Sequence, residues 1–276
     1  MPRVFISSSF LEPGLRGEEF DLDPDTAKKL TRVLRLTVGE IFVAFDGLGG
    51  EWECVLTSVN ETGKSARAAI LNEIPTESAP RLHISVAQAV PKGEKMEFVL
   101  QKGTELGVQE FWPLLAGRSV PTFEDEMRAS VRADRWRKIV QSACAQCGRA
   151  DVPIVHAPCE FATAVDYGTN DSRCFMLDER GGSETLRGAL TREALVPQDP
   201  NRVLDAAGAA AGADDLEPPR RVMLLIGPEG GWTEREREWA DRYGVESVGL
   251  GRSILRTETA ALTAVSILRW EAGELG

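Results

Sequence analysis

The sequence predicts a two-part protein, a small β-rich domain over residues 1–75 followed by an α/β domain over residues 76–276. Three observations carry this. The chain is 276 residues long, enough for two domains. Its first 75 residues read as short strands around one helix. From Leu82 onward strands alternate with amphipathic helices, the pattern of a sheet covered by helices.

In the first part, residues 3–7 form a candidate strand. Residues 23–36 predict a helix, with Asp23 as cap, Pro24 in the first turn and Ala27, Leu30, Val33 and Leu34 at helical spacing. IFVAF (41–45), the turn DGLGG and EWECVLTSV (51–59) read as a hairpin, and residues 65–74 add another strand. These make a small barrel or sandwich that closes near the linker at 75–80.

In the second part, LHISVAQAV (82–90) is a strand, residues 92–106 a helix and FWPLL (111–115) a strand. Residues 124–147 predict a long helix with Met127, Val131, Trp136, Ile139, Val140 and Ala143 apolar, closed by Gly148. Strands follow at 152–156 and 173–177. Next comes a low-complexity stretch at 198–219, with five acids, one arginine and no aromatic residue, expected to be a mobile surface loop. Strand 221–226, helix 234–243 closed by Gly244, strand 247–250 and helix 258–270 complete the chain.

Composition excludes several classes. Hydrophobic residues at 42% and charged residues at 27% are ordinary globular values, which rules out fibrous and disordered chains. No run has the apolar length of a membrane span, and the amino terminus lacks the apolar stretch of a secretory leader. Five cysteines (Cys54, Cys144, Cys147, Cys159 and Cys174) are too few and unevenly placed for a disulfide framework, so a cytosolic protein with reduced thiols is expected. The net charge of −11 does not suggest a polyanionic partner. Residues 81–160 nevertheless carry 11 basic against 10 acidic side chains, so a nucleic-acid face is not excluded.

Two segments suggest a ligand site. MLLIGPEGGWTEREREWA runs from a buried-type strand through Gly227-Pro228-Glu229-Gly230-Gly231 into a helix opened by the capping box Thr233–Glu236. The glycines let backbone approach a ligand, although both nucleotide fingerprints, GxGxxG and GxxxxGK[ST], are missing. A turn that binds nothing fits as well. VGLGRSILRTETAALTAVSIL repeats the strand–loop–helix pattern, with Arg256, Thr257, Glu258 and Thr259 at the start of an apolar helix. Thr257 also reads as a plain helix cap, with Glu258 favouring the helix dipole. Taken together, both loops would line one crevice at the carboxyl ends of parallel strands.

Two further features admit bland readings. Lys92-Gly93-Glu94-Lys95-Met96-Glu97, with Lys102, Thr104 and Glu105, is either a solvated helix face with charge pairs or a phosphate contact. Cys144 and Cys147 form a CxxC pair, but a zinc site needs four ligands, the only histidines are His83 and His156, and there is no second CxxC. The pair reads as structural, and no metal is expected.

These residues together resemble one family, the bacterial 16S ribosomal RNA (uracil-N3) methyltransferases called RsmE, within the SPOUT superfamily. The resemblance rests on Arg32-Val33-Leu34-Arg35, Phe45-Asp46-Gly47, KGEKMEFVLQKGTELGV, QSACAQCGRADVP, LLIGPEGG and LGRSILRTETAALTA, spread over nearly the whole chain. Lys29 stands where the family often has a histidine.

The resemblance implies a PUA-like β-barrel that helps bind RNA, then a SPOUT-type α/β domain with a carboxyl-terminal trefoil knot. It implies S-adenosylmethionine as cofactor, a homodimer, and methyl transfer to a uridine N3 in 16S ribosomal RNA of the small subunit. The cofactor residues it implies are Ile226, Gly227, Pro228, Glu229, Gly230 and Gly231, then Leu250, Gly251, Ser253, Leu255, Arg256, Thr257, Glu258, Thr259 and Ala260. Arg256 is expected to orient the uracil or stabilise its developing charge. Glu258 is expected to accept the proton or to position Arg256. Expected RNA contacts are Arg3, Arg32, Arg35, Lys92, Lys95, Lys102 and Arg118, acting on phosphates. The rival readings are a SPOUT methyltransferase acting on another RNA and a non-catalytic RNA-binding assembly factor.

Overall fold

The computed structural model describes residues 1–7, 17–60, 63, 65–75, 80–119, 126–180, 184–192 and 220–275, with the side chains of 126–129 excepted. The predicted loop at 198–219 and the side chain of Met127 lie outside the described residues. Described residues fall into two compact units, 1–78 with 140–153, and 79–139 with 154–276.

The first unit is built on a five-stranded sheet in the order β1-β3-β4-β5-β2. Its strands are β1 (Arg3–Phe5), β2 (Glu19–Asp21), β3 (Ile41–Phe45), β4 (Glu51–Val59) and β5 (Ala66–Ile74). β3 and β4 form the expected hairpin, while β1 pairs with β3 in parallel. Alternate residues of β4, Trp52, Cys54 and Leu56, point into a core shared with Val4, Leu30 and Phe42.

The helix expected over 23–36 is shorter. α1 (Pro24–Lys28) starts on Asp23, whose carboxylate accepts from the Asp25 and Thr26 amides, each at 3.0 Å. It then loosens into a π-turn (Lys29–Val33), and the non-glycine residue Arg35 takes φ 58°. Val33 is 73% exposed because the wider turn rotates it off the core face that Ala27 and Leu30 occupy.

The second unit is an all-parallel sheet in the order β11-β13-β10-β12-β6-β7-β8, with β9 paired to β7. Its strands are β6 (Leu82–Ala89), β7 (Glu110–Leu115), β8 (Ile154–Val155), β9 (Cys159–Glu160), β10 (Arg173–Leu177), β11 (Glu184–Thr185), β12 (Arg220–Ile226) and β13 (Glu246–Gly249). β6 and β12 are buried almost throughout, as strands covered on both faces must be. The helices are α2 (Lys95–Glu105), α3 (Glu126–Cys147), whose residues 140–147 belong to the first unit, α4 (Phe161–Asp171), α5 (Leu186–Arg192), α6 (Glu234–Arg242) and α7 (Thr257–Glu271).

Three expectations needed correction here. α2 begins three residues later than read, because Gly93 takes φ 69° and breaks the helical path. Val131 of α3 is 66% exposed, and Ala133 and Cys144 are buried beside Trp136, Val140 and Ala143 instead. The strand read at 152–156 shrinks to two residues, since Val152 turns to hydrogen-bond the Gly47 carbonyl. No helix among the described residues is long and apolar enough to cross a membrane.

Candidate active site

The order β13-β10-β12 sets three strand ends side by side, at the edge where parallel sheets hold their ligands. The segments that follow them, 177–179, 226–232 and 248–257, line one cavity with Ala260 of α7. Its volume of 320 Å³ is in the range of small-molecule sites.

Each loop is fixed from below. Trp232 is buried, its indole N–H donates to the Leu177 carbonyl at 2.9 Å, and its ring covers Gly227, where a Cβ would sit 3.2 Å away. Gly231 takes φ 67°, which favours glycine, and its open side meets Glu179. The capping box is present at the start of α6, and Glu236 also accepts the Gly117 amide at 2.9 Å. Asp178 is clamped by Arg237 at 2.5 and 3.2 Å. Burial alone would raise the Asp178 carboxyl, but the Arg237 hydrogen bonds hold it below its ordinary range.

Thr257 is not the cap of α7. Arg256 holds the cap position without a side-chain hydrogen bond, and Thr257 turns inward. Its hydroxyl donates to the Gly227 carbonyl at 2.6 Å and accepts from the amide of buried Gln88 at 2.8 Å. One threonine thus links β6, the loop after β12 and the helix after β13.

Charge gathers just outside the cavity. Lys95, the first residue of α2, places its ammonium 2.9 Å from Glu229 and 3.6 Å from Glu258. Burial would raise the Glu229 carboxyl, yet the Lys95 contact and the Lys92 backbone amide hold it below its ordinary range. Arg118 donates to the Gly230 carbonyl at 2.8 Å. The Arg256 side chain is exposed on the rim and has no hydrogen bond or ion pair among the described residues.

Of the cofactor residues expected from the sequence, Ile226, Gly227, Pro228, Glu229, Gly231, Leu250, Gly251, Ser253, Leu255, Arg256, Thr257 and Ala260 line the cavity. Three do not. Gly230 faces Arg118, Glu258 faces Lys95, and Thr259 lies in a separate apolar groove with Phe98 and Trp270. The sequence reading missed Leu177, Asp178, Glu179 and Trp232. Asp178 and Glu179 directly follow a strand, so the strand-end rule applied to a third strand would have found them.

The seven expected RNA contacts divide. Arg3 is held by Glu51 and donates to the Gly148 carbonyl at 2.9 Å, and Lys102 pairs with Glu105 at 2.8 Å. Lys95 and Arg118 support the Gly227–Gly231 loop as described. Arg32, Arg35 and Lys92 are exposed.

Cys144 is buried, which pushes its thiol up to about 12, whereas Cys147 is exposed. Among the described residues, no three histidine, cysteine or acidic side chains gather as metal ligands would.

A parallel sheet with a cavity over three strand ends, two of them running into glycine-rich loops, in a chain that begins with a small β-rich unit, is the architecture that RNA methyltransferase family models match. The family model described as an RNA methyltransferase domain matches residues 77–269, and one described as an RNA methyltransferase PUA domain matches residues 22–67. The chain belongs to the ribosomal RNA small subunit methyltransferase E family. It is 32% identical to the Mycobacterium bovis member over 91% of this chain and 88% of that protein. It is 28% identical to the Bacillus subtilis member over 91% of this chain and 90% of that one. The Neisseria gonorrhoeae member, whose crystal structure has S-adenosylmethionine bound, superposes with TM-score 0.78 at 30% identity, covering 98% of this chain and 97% of that chain.

Proposed function

We propose that this protein transfers the methyl group of S-adenosylmethionine to N3 of a uridine in the decoding region of 16S ribosomal RNA. The observation that carries the reading is the single cavity over the ends of β10, β12 and β13, in a chain of this family.

The cavity fits the cofactor. Ile226, Leu250, Leu255 and Ala260 supply an apolar lining for an adenine, and the loop backbone supplies polar groups for a ribose. At Gly249 an added Cβ would meet no protein atom within 4 Å, which leaves that stretch of backbone open to a ligand. When bound, S-adenosylmethionine supplies a methyl group on a positively charged sulfur.

The chain's own residues then have distinct tasks. Uracil N3 must give up its proton, here to water, so negative charge builds on the ring until the new N–C bond forms and the sulfonium departs as a neutral thioether. Arg256, exposed on the rim with no competing partner among the described residues, orients the uracil and stabilises that charge. Glu258 lies off the cavity wall and faces Lys95, not Arg256, so neither accepting the uracil proton nor positioning Arg256 is assigned to it. Arg32 and Arg35 of the 1–75 domain, and Lys92 and Arg118 of the 76–276 domain, position RNA phosphates.

Two features of the family reading have physical support. For the trefoil knot near the carboxyl end, the support is that Thr257 after β13 bonds Gly227 after β12, so the two loops of the knotted region meet. The groove formed by Phe98, Leu262, Ile267 and Trp270 leaves Phe98 47% and Trp270 63% exposed, a face suited to a second copy in a homodimer. The protein acts in the cytoplasm on the small ribosomal subunit. The test is transfer of labelled methyl from S-adenosylmethionine to small subunits taken from cells lacking the enzyme. Label in 16S RNA supports the reading, and unlabelled RNA overturns it.

A further inference from the structure

We infer that Lys95 is a positioning residue for the loops around the cavity rather than a contact to RNA phosphate, an inference that rests on reading the cavity as the S-adenosylmethionine site.

The ammonium of Lys95 touches two elements that no backbone segment joins directly. Glu229, at 2.9 Å, belongs to the loop after β12 and lines the cavity. Glu258, at 3.6 Å, belongs to the first turn of α7, next to the cavity-lining Thr257. The Lys92 backbone amide holds the same Glu229 carboxylate, so the segment leading into α2 grips this loop twice. The Glu258 oxygen facing Lys95 is buried and has no hydrogen bond among the described residues. Without the ammonium, two carboxylates would stand beside each other and repel, one of them largely shut off from water. The loop after β12 and the start of α7 would move apart, and both form the cavity wall.

The same geometry makes Lys95 a poor phosphate contact. Two carboxylates face one ammonium, so the cluster carries net negative charge and would not attract a phosphate. Lys92, three residues earlier, is exposed and has no side-chain ion pair among the described residues. It is the better candidate on this segment.

The experiment compares wild type, Lys95→Met, Lys95→Arg and Lys92→Met as full-length proteins. Calorimetry measures S-adenosylmethionine binding, and titration of a 16S ribosomal RNA transcript at several salt concentrations measures RNA affinity. Lys95→Met should weaken cofactor binding about tenfold, on the scale of one lost charge-assisted contact. Lys95→Arg should recover most of that loss. Both should keep the wild-type salt slope, whereas Lys92→Met should lower it by about 0.7–0.9. A Glu229→Gln change made on top of Lys95→Met should add little, because the two residues act as one unit. Unchanged cofactor affinity in Lys95→Met would overturn the inference, as would a reduced salt slope in that variant. Failure of the wild-type protein to bind S-adenosylmethionine would instead overturn the reading of the cavity, and the role of Lys95 with it.

Discussion

The hydroxyl of Thr257 donates to the carbonyl of Gly227 at 2.6 Å, joining the two glycine-rich loops that lie 30 residues apart in the chain. Its other bond, accepted from buried Gln88 at 2.8 Å, anchors the pair to the sheet. Because Gln88 must donate, the threonine proton is directed at Gly227, and the three groups form one ordered chain. Cavity shape therefore depends on a side chain that reads from sequence as a mere helix cap.

Replacing Thr257 with Val keeps the volume and removes the hydroxyl. The Gly227 carbonyl and the Gln88 amide then lose a partner, at a cost of about 1–3 kcal/mol for each buried group. A lower unfolding temperature and weaker S-adenosylmethionine binding are expected together, measured by calorimetry. Thr257→Ser should restore both.

Arg256→Ala should lower turnover by at least about a hundredfold, the scale of one lost electrostatic contact to a developing charge. The unfolding temperature should stay near wild type, since the exposed side chain has no hydrogen bond or ion pair among the described residues. Near-normal turnover in single-turnover assays would remove Arg256 from the mechanism.

Acid should destabilise the second unit in two stages, through the buried Glu110 at the start of β7. His156 and the indole of Trp112 each lie 3.2 Å from this carboxylate, Arg221 donates to it at 3.0 Å, and His83 approaches to 3.4 Å. Burial, with the Arg221 charge, pushes the His83 value down, so stability is lost as pH falls below about 6.5, where the unfolded histidine takes up a proton. Burial would raise Glu110, but hydrogen bonds from His156 and Trp112 outweigh it and lower its value. A second loss follows below about 4.3, as the unfolded carboxylate protonates first. Thermal unfolding between pH 8 and about pH 2 should show both. Glu110→Ala should cost about 1–3 kcal/mol at neutral pH, since Trp112 and His156 lose a buried hydrogen-bond partner while Arg221 keeps Asp171.

Trp270→Glu should break the proposed homodimer without touching the cavity, because Trp270 is 63% exposed on the α7 groove. Sedimentation velocity should find monomer for the variant and dimer for wild type. A wild-type monomer would contradict the proposed assembly.

Much of the fold was legible because burial leaves strong patterns. Near-continuous apolar strands such as Val222–Ile226 and the strand–glycine–helix joints announced a parallel sheet and its ligand edge. Short elements were not legible: β2 and β11 are three and two residues long, too short for a period to register. The π-turn after Lys28 escaped because Val33 and Leu34 continue the apolar spacing of α1 while the backbone turns them outward. At the site, the glycine loops gave most of the wall, but Trp232, whose indole reaches back to the Leu177 carbonyl, came from long-range packing that spacing does not encode. The partners of Lys95 and Thr257 were hidden for the same reason, since each reaches residues more than a hundred positions away.

The most direct measurement is nucleoside analysis of 16S ribosomal RNA after incubating unmodified small subunits with this protein and S-adenosylmethionine. The account predicts that N3-methyluridine appears with wild type and is lost with Arg256→Ala. A methyl group on another base or another ring atom, or none in the presence of bound cofactor, would contradict it.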